Sequence, residues 1–364
     1  MRLALVSLES TMNGETPMSA EQQRKLPPDF RPDAPIDQAT TPIGWQQGVL
    51  ELPRPFRLES GEILDNGRLA WQCVGPADAP LIIALGGISA HRRACGTGAS
   101  GWWEEQVGAG KTLDTQRYRV LGVDWLGGCD QSSGPHGAQD FPAISTADQA
   151  RALLLLLNRL GVRRVHLLVG ASYGGNVAQH LAALLGDRLR RLVLLSAAHR
   201  PAQFGLGLRH IQRAILALGN ESAEALALAR SLAVLCYRTT EGVEQRFSEN
   251  ASAATAPGLL PGGIVGWLEH HGASFSRRFD NQAYRCLGHS LDAHGIDPAT
   301  IRAPTTVFAV REDLTVPLSL LHEYAALAGK HCELVEISSV HGHDAFLKEE
   351  RAVSEVLAAA LVAA

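Results

Sequence analysis

Residues 170–174 read Gly-Ala-Ser-Tyr-Gly, a G-x-S-x-G pattern, which is the strongest local indication of the fold. An apolar run at 165–169 (VHLLV) precedes it, and a stretch with helical spacing follows at 176–190. A strand, a glycine-flanked turn and a helix together form a nucleophile elbow. In such a turn two backbone segments cross closely, and the serine hydroxyl points out of the sheet. We therefore predict that Ser172 is a nucleophile at the end of a strand.

Further apolar runs have the same character as the one before Ser172. Each is short and does not alternate with polar residues, which is typical of strands buried on both faces of a parallel sheet. These runs lie at 81–85, 118–123, 192–195, 305–310 and 333–337. Helical spacing of apolar residues recurs at 146–160 and 350–363. Alternating strands and helices predict an α/β fold with a mostly parallel, doubly wound sheet.

The chain divides into regions of different sequence character. Residues 1–45 are rich in proline and polar residues and predict a loosely structured N-terminal extension. Residues 46–200 and 300–364 contain the sheet pattern and form the predicted core. Residues 201–299 between them have little strand character, and we predict a helical lid over the carboxyl edge of the sheet. Helices are predicted in this lid at 207–218, 221–237 and 277–294.

Composition excludes several classes of partner. The 364 residues include 33 Lys and Arg against 37 Asp and Glu, a net charge of −4. Such a chain has no global field for nucleic acid or anionic lipid, so we expect neither partner. No apolar run approaches the roughly 18 residues of a membrane span, and the apolar start is too short for a signal peptide. Six scattered cysteines without a CxxC pair favour reduced thiols and a cytoplasmic location.

Partners for the serine follow the later predicted strands. A serine hydroxyl needs a base that an acid holds in orientation; without them Ser172 would be a structural residue of a glycine-rich turn. Asp313 follows the strand at 305–310, and His343 follows the strand at 333–337. The order serine, acid, histidine, each at a strand end, matches the triad of α/β-hydrolase sheets. We therefore predict Ser172, Asp313 and His343 as a catalytic triad.

Neighbouring residues offer alternatives to these assignments. Glu312 adjoins Asp313 and could be the acid, and His341 lies close to His343 and could be the base. Both rivals are more typical of solvated loop residues. His341, His343 and Asp344 also have the side chains of metal ligands, but no further partner follows at metal-ligand spacing. We therefore predict no metal site.

An oxyanion hole requires two N–H donors aimed at the oxygen on which negative charge develops. The backbone N–H of Tyr173, directly after the nucleophile, is the first candidate. The second lies in the loop 86–88 (Gly-Gly-Ile) that follows the strand at 81–85. We select Gly87, because glycine allows close approach of the backbone. The alternative for this loop is a plain turn.

Several stretches outside the triad form a recognisable pattern. They are 101–103 (GWW), 107–115 (VGAGKTLDT), 126–129 (LGGC), 133–135 (SGP), 170–175 (GASYGG), 237–238 (YR), 278–284 (RFDNQAY), 291–294 (LDAH) and 342–347 (GHDAFL). In this order they resemble the MetX-type homoserine O-acyltransferases of the α/β-hydrolase superfamily, and GHDAFL is the most specific. The family usually has Met where Tyr173 stands, and an apolar-Thr-Gly stretch at 86–88. These departures resemble the divergent homoserine O-succinyltransferase branch.

The resemblance implies an α/β-hydrolase fold and a homoserine O-acyltransferase of methionine biosynthesis. Such an enzyme moves an acyl group, in this branch succinyl, from acyl-CoA to the hydroxyl of L-homoserine through an acyl-serine. It implies acyl-CoA as co-substrate, no permanently bound cofactor, and a homodimer formed through the lid helices. It assigns Arg238 to the carboxylate of the amino acid and Asp344 to its amine. The alternatives are a lid salt bridge for Arg238 and a helix cap for Asp344.

The acyl donor and the reaction class leave alternatives open. Succinyl-CoA carries a free carboxylate that needs a cation, best a guanidinium. Arg92, Arg93 and Arg311 are the candidates, with solvated surface charges as the alternative interpretation. The same triad would serve a serine esterase or thioesterase, or an O-acetyltransferase or serine O-acyltransferase of this family. A silent binding module of the same fold is disfavoured, because the triad is intact.

Overall fold

The computed structural model describes residues 44–96, 101–136, 140–247 and 263–364. The predicted N-terminal extension, 1–45, lies outside the described residues apart from its last two positions. Within the described ranges, no helix is both long and apolar enough to cross a membrane.

Strands and helices alternate along most of the described chain. The strands are β1 (Gln46–Glu51), β2 (Phe56–Arg57), β3 (Ile63–Leu64), β4 (Arg68–Val74), β5 (Leu81–Leu85), β6 (Val107–Gly108), β7 (Leu113–Asp114), β8 (Arg119–Val123), β9 (Leu167–Ala171), β10 (Leu192–Leu195), β11 (Thr305–Val310) and β12 (Cys332–Ile337). The helices are α1 (Thr146–Arg159), α2 (Tyr173–Leu185), α3 (Gln203–Leu218), α4 (Ala223–Cys236), α5 (Thr240–Phe247), α6 (Gly263–Ser276), α7 (Asn281–Asp292), α8 (Leu318–Ala328), α9 (Ala345–Lys348) and α10 (Glu350–Val362).

Among the described residues, eight strands form one sheet in the order β1-β4-β8-β5-β9-β10-β11-β12. The pairs β1–β4 and β4–β8 are antiparallel, and the remaining pairs are parallel. The predicted α/β class with a mostly parallel sheet is therefore confirmed. The sequence pattern missed β1, because it is a half-exposed edge strand without a continuous apolar run. It also missed β4 (RLAWQCV), in which polar residues interrupt the apolar ones.

Strand β9 lies between β5 and β10, and all five of its side chains are buried. Because side chains alternate along a strand, Leu168 packs in the apolar cluster on one face of the sheet and Val169 in the cluster on the other. Burial of each such side chain stabilises the fold by about 1.5–3 kcal/mol. The carboxyl end of β9 is therefore held from both faces, and it leads directly into Ser172.

The helices α3, α4, α5, α6 and α7, which we call the cap helices, occur between β10 and β11. They have a small apolar core of their own, to which α3, α4, α6 and α7 contribute Leu216, Leu226, Phe275 and Tyr284. Helix α7 begins at Asn281 rather than at 277, because the Asp280 side chain accepts the N–H groups of the first turn. The sequence pattern did not predict α5 or α6. The division into core and lid stays a prediction.

Candidate active site

The turn between β9 and α2 has a strained backbone at Ser172, whose φ is 50°. The glycines around it are required by close backbone contacts. A Cβ on Gly174 would lie 2.3 Å from the carbonyl oxygen of Leu85, and one on Gly170 would lie 2.4 Å from the carbonyl oxygen of Gly174. Helix α2 therefore begins immediately after the serine, three residues earlier than predicted.

Three side chains from three strand ends form a hydrogen-bonded relay. His343 donates from Nδ1 to Oδ2 of Asp313 at 2.6 Å, since a carboxylate can only accept. Its Nε2 is then free to accept the Ser172 hydroxyl, at 2.8 Å. Both Asp313 and His343 are buried. The geometry thus brings together the three residues predicted as the triad, with the histidine in the tautomer that can receive the serine proton.

The Asp313 carboxylate is fixed by its own loop. Its Oδ1 accepts the N–H of Thr315 at 2.8 Å, the Thr315 hydroxyl at 2.9 Å and the N–H of Val316 at 2.9 Å. These bonds leave Oδ2 for His343. The carboxylate is therefore oriented before any substrate binds.

Opposing effects act on the pKa of His343. Burial lowers this pKa. The charge of Asp313, the hydrogen bond to Asp313 and the charge of Asp344 raise it by more than burial lowers it. The net result is a pKa above the ordinary value for histidine. Imidazolium is therefore stabilised at the position where a proton from Ser172 would arrive.

The two rival residues have other partners. Glu312 accepts hydrogen bonds from the Ser338 hydroxyl and from the N–H of Ser339, and so braces the loop that precedes His343. His341 faces Arg238, whose Nη1 lies 3.2 Å from its Nδ1. Neither contacts Ser172 among the described residues, so the geometry favours Asp313 and His343.

Of the predicted oxyanion donors, Tyr173 directly follows the serine, and the loop of Gly87 is joined to the same turn, because the Gly86 carbonyl accepts the N–H of Gly174 at 2.9 Å. In the described part of the chain, the N–H groups of Tyr173, Gly87 and Ile88 have no backbone acceptor. The Gly87 carbonyl accepts from the N–H of Ala90 at 2.9 Å and from Nε1 of Trp125 at 3.2 Å. These bonds fix the loop while its N–H groups stay available.

The side chain of Tyr173 is fully buried and connects three parts of the molecule. Its hydroxyl accepts from Nε2 of Gln149 on α1 at 3.0 Å and hydrogen-bonds with the Ser290 hydroxyl on α7 at 2.9 Å. Its ring packs edge-on against Trp125, with ring centroids 4.9 Å apart. The Tyr173 hydroxyl therefore connects the cap helix α7 to helix α1 by hydrogen bonds.

A cleft that is open to solvent contains Ser172 and His343. Its other lining residues are Ile88, Asn176, Ser196, Leu208, Arg209, Gln212, Arg213, Tyr237, Tyr284, Gly288, Leu291, Thr315 and Val316. Sequence reasoning missed Arg209 and Arg213. The available signal was two arginines four residues apart, which share one face of a helix.

The two predicted amino-acid ligands form an ion pair with each other. Nη2 of Arg238 lies 2.9 Å from Oδ2 of Asp344, with 14% and 19% of the side chains exposed. Their chain neighbours Tyr237 and His343 line the cleft. Within the described residues, the pair itself is not part of that lining. The opposite charges thus lie directly beside the relay.

The three arginines considered for the acyl donor lie elsewhere. Arg92 is buried in an ion pair with Asp124. The Arg311 side chain is 60% exposed and lies 3.3 Å from Glu336. As far as the structure describes the chain, neither these two nor Arg93 lines the cleft. The exposure of Arg311 fits the alternative interpretation of a solvated surface charge, and a cation for the acyl donor among these three stays a prediction.

No group of three or more His, Cys, Asp or Glu in the described ranges could hold a metal ion. Of the residues considered as metal ligands from sequence, His343 contacts Ser172 and Asp313, and Asp344 contacts Arg238.

Known proteins match most of the chain. A family model described as the alpha/beta hydrolase fold matches residues 80–350. A homoserine O-succinyltransferase of Xanthomonas campestris pv. campestris is 40% identical over 300 residues, which cover 81% of this chain and 79% of that protein. A homoserine O-acetyltransferase of Thermus thermophilus is 33% identical over 289 residues, covering 72% of this chain and 73% of that protein.

Solved structures agree with the sequence relatives. A homoserine O-acetyltransferase from Staphylococcus aureus has a TM-score of 0.73 and 25% identity, covering 87% of this chain and 95% of that one. An acetylester hydrolase from Corynebacterium glutamicum also has a TM-score of 0.73, but at 16% identity, with 87% and 96% covered, it shows the fold alone. The chain therefore belongs to the homoserine O-acyltransferase family of the α/β-hydrolase superfamily.

Proposed function

We propose that this chain moves an acyl group from acyl-CoA to the side-chain hydroxyl of L-homoserine, as a step of methionine biosynthesis. The observation that carries the proposal is the relay from Ser172 through His343 to Asp313, which opens into a cleft under charged helices. The relative at 40% identity, named a homoserine O-succinyltransferase, supports this acceptor and favours succinyl-CoA as the donor.

In the first half-reaction, Nε2 of His343 takes the proton of the Ser172 hydroxyl as Oγ attacks the thioester carbonyl. The tetrahedral oxyanion is held by the N–H groups that we assign to Tyr173 and Gly87. The C–S bond then breaks, and the CoA sulfur leaves with the proton from His343. An acyl ester remains on Ser172.

The second half-reaction repeats these steps with a different nucleophile. His343 takes the proton of the homoserine hydroxyl, whose oxygen attacks the acyl carbonyl. The bond to Ser172 Oγ breaks, and Oγ recovers the proton from His343. The products are O-acylhomoserine and the enzyme in its starting form, with no permanently bound cofactor required.

Recognition of the amino acid is assigned to Arg238 and Asp344. A zwitterion carries one charge of each sign, and this ion pair offers both complements within 2.9 Å of each other. The substrate carboxylate would bind the guanidinium, and its ammonium would bind the carboxylate of Asp344. The unpartnered buried Nε of Arg238 supports a further acceptor at this place.

The state and location of the enzyme are proposed from the family. Exposed apolar side chains on α3 and α4, among them Ile211, Leu218 and Leu228, fit a homodimer formed through the cap helices. We place the enzyme in the cytoplasm.

The decisive experiment measures release of CoA thiol. Succinyl-CoA and acetyl-CoA are each combined with homoserine, with serine, or with no amino acid. The expected result is steady release only with an amino acid, fastest with succinyl-CoA and homoserine. Equal release without an amino acid would instead identify a thioesterase, because water would then be the acceptor.

The nucleophile is tested in the same preparation. Mass spectrometry after mixing with acyl-CoA alone should show an acyl adduct on the wild type and none on Ser172→Ala. Ser196→Ala, which removes another serine of the cleft wall, is the matched control and should retain the adduct. An adduct that persists on Ser172→Ala would contradict the assignment.

A further inference from the structure

One part of the cleft wall carries an excess of positive charge. Arg209 and Arg213 lie one turn apart on α3, and both contact Asp292 on α7. Nη2 of Arg213 lies 2.7 Å from Oδ2, and Nε of Arg209 contacts Oδ1. Two guanidinium groups thus share one carboxylate. The group keeps a net charge of +1 in a cleft that holds Ser172.

These charges are largely removed from water. The three side chains are only 16% to 19% exposed. Charges at such burial require hydrogen-bonding partners. Yet within the described chain, Nη1 of Arg213 is buried without a partner, and the only hydrogen bond of Arg209 is the one from Nε. Guanidinium groups that line a cleft and have N–H donors without a protein partner can bind an anionic ligand.

The position of Arg209 connects this charge to the relay. A Cβ on Gly205 would lie 3.1 Å from Nη1 of Arg209 and 3.5 Å from the carbonyl oxygen of Thr315. Thr315 in turn donates two hydrogen bonds to Asp313. Glycine at 205 therefore leaves room for the guanidinium beside the loop that orients the catalytic acid.

We propose that Arg209 binds the free carboxylate of a dicarboxylic acyl group of the succinyl class while Ser172 attacks the thioester end. A guanidinium can hold both oxygens of that carboxylate and offset the loss of its hydration. Arg213 is a positioning residue, because it occupies the second oxygen of Asp292 and so leaves Arg209 with net charge. An acetyl group has no carboxylate and gains nothing from this site. The inference rests on the proposed acyl transfer.

The test isolates acylation from the acceptor. Formation of acyl-enzyme is followed by thiol burst and mass spectrometry, without amino acid, for succinyl-CoA and acetyl-CoA. The wild type should prefer succinyl-CoA. Arg209→Gln should lower the ratio of the acylation rate with succinyl-CoA to that with acetyl-CoA about tenfold to a hundredfold. Arg213→Gln should lower the same ratio by a smaller factor.

Matched variants separate charge from fold. Arg311→Gln removes an exposed arginine outside the cleft lining and should leave the donor ratio unchanged. Arg209→Lys keeps a charge and should restore part of the succinyl preference. Formation of acyl-enzyme from acetyl-CoA by Arg209→Gln also reports that the variant is folded.

Other outcomes would overturn the assignment. Equal losses of acylation rate with both donors would mean that Arg209 binds the CoA moiety, which the two donors share. A raised KM for homoserine with an unchanged donor ratio would give it to the amino acid. A wild type that acylates equally well with both donors would refute the site and leave acyl transfer intact. A wild type that forms no acyl-enzyme would refute the proposed function itself.

Discussion

The relay and the cap helices use polar groups in different ways. In the relay, each ring nitrogen of His343 has one partner: Nδ1 contacts Asp313 at 2.6 Å, and Nε2 contacts Ser172 at 2.8 Å. In the cap helices, charges are shared, as where Arg209 and Arg213 both contact Asp292. The relay lies on strand ends held by the core, whereas the shared charges lie between helices.

We therefore assign proton transfer to the relay and substrate recognition to the charges of the cap helices. A fixed relay serves any acyl transfer, because the proton steps at Ser172 and His343 do not depend on which acyl group is carried. Shared charges can be redistributed to an incoming anion or zwitterion at lower cost. We therefore expect relay variants to lower kcat, and cap variants to change KM and donor choice.

The largest effect is expected for Asp313→Asn. Asparagine cannot hold the imidazole in the same tautomer or stabilise its positive charge, so kcat should fall by about 10⁴-fold with little change in KM. Glu312→Gln is the matched control, because that carboxylate braces Ser338 and Ser339 instead. Its loss should be far smaller. Comparable losses in the two variants would mean that the acid had been misassigned.

The pH profile gives a second measurement on Asp313→Asn. Neutral His343 is the form that accepts the serine proton, so kcat/KM falls as pH drops through its pKa. In the wild type, burial lowers that pKa, but Asp313 raises it above the ordinary value. Removing the charge should therefore move the acidic limb of the residual activity to lower pH. A limb that stayed in place would show that another group controls it.

A smaller effect is expected at the ion pair of Arg238 and Asp344. Replacing either by alanine should raise the KM for homoserine about tenfold to a hundredfold and leave the KM for acyl-CoA nearly unchanged. The two residues are 2.9 Å apart, so the double variant should lose less than the product of the single losses. Steady-state kinetics with each substrate varied in turn measures both quantities.

The kinetics of the Arg238 and Asp344 variants can also contradict this division between chemistry and recognition. If Arg238→Ala and Asp344→Ala changed only the dependence on acyl-CoA, the pair would belong to the donor half of the cleft. Recognition of the amino acid would then have to come from other residues of the cleft wall.

The relay could be predicted from sequence because each member follows a strand of the parallel sheet: Ser172 comes directly after β9, Asp313 three residues after β11, and His343 six residues after β12. Parallel strands end at one edge of the sheet, so order along the chain becomes proximity in space. Ser172, Asp313 and His343 were found in this way. The helical spacing predicts a start of α2 that is three residues too late, because a strained turn can lead directly into a helix.

The cap site could not be predicted in the same way. Arg209 and Asp292 meet only because α3 and α7 pack together, and no local pattern encodes that contact. Arg92 is a candidate for binding the acyl donor because it follows the oxyanion loop, but its side chain forms a buried ion pair with Asp124. Tertiary packing, rather than position along the chain, decides which arginine faces the cleft.

The smallest effect tests the hydrogen bond that joins the two regions. Tyr173→Phe removes a hydroxyl that contacts Gln149 at 3.0 Å and Ser290 at 2.9 Å. Both partners are buried. The free energy of unfolding should fall by about 1–3 kcal/mol, because these groups lose a partner. Urea denaturation measures this loss, and kcat should change little, since the backbone N–H of residue 173 remains.

Ser290→Ala completes a double-mutant cycle with Tyr173→Phe. If the hydroxyls stabilise each other across the boundary, the double variant should lose about 0.5–1.5 kcal/mol less than the sum of the single variants. Additive losses would mean that the tyrosine acts through Gln149 and Trp125 within the core. The cap helices would then be anchored by their apolar contacts, and relay and cap would be separable in stability as well as in function.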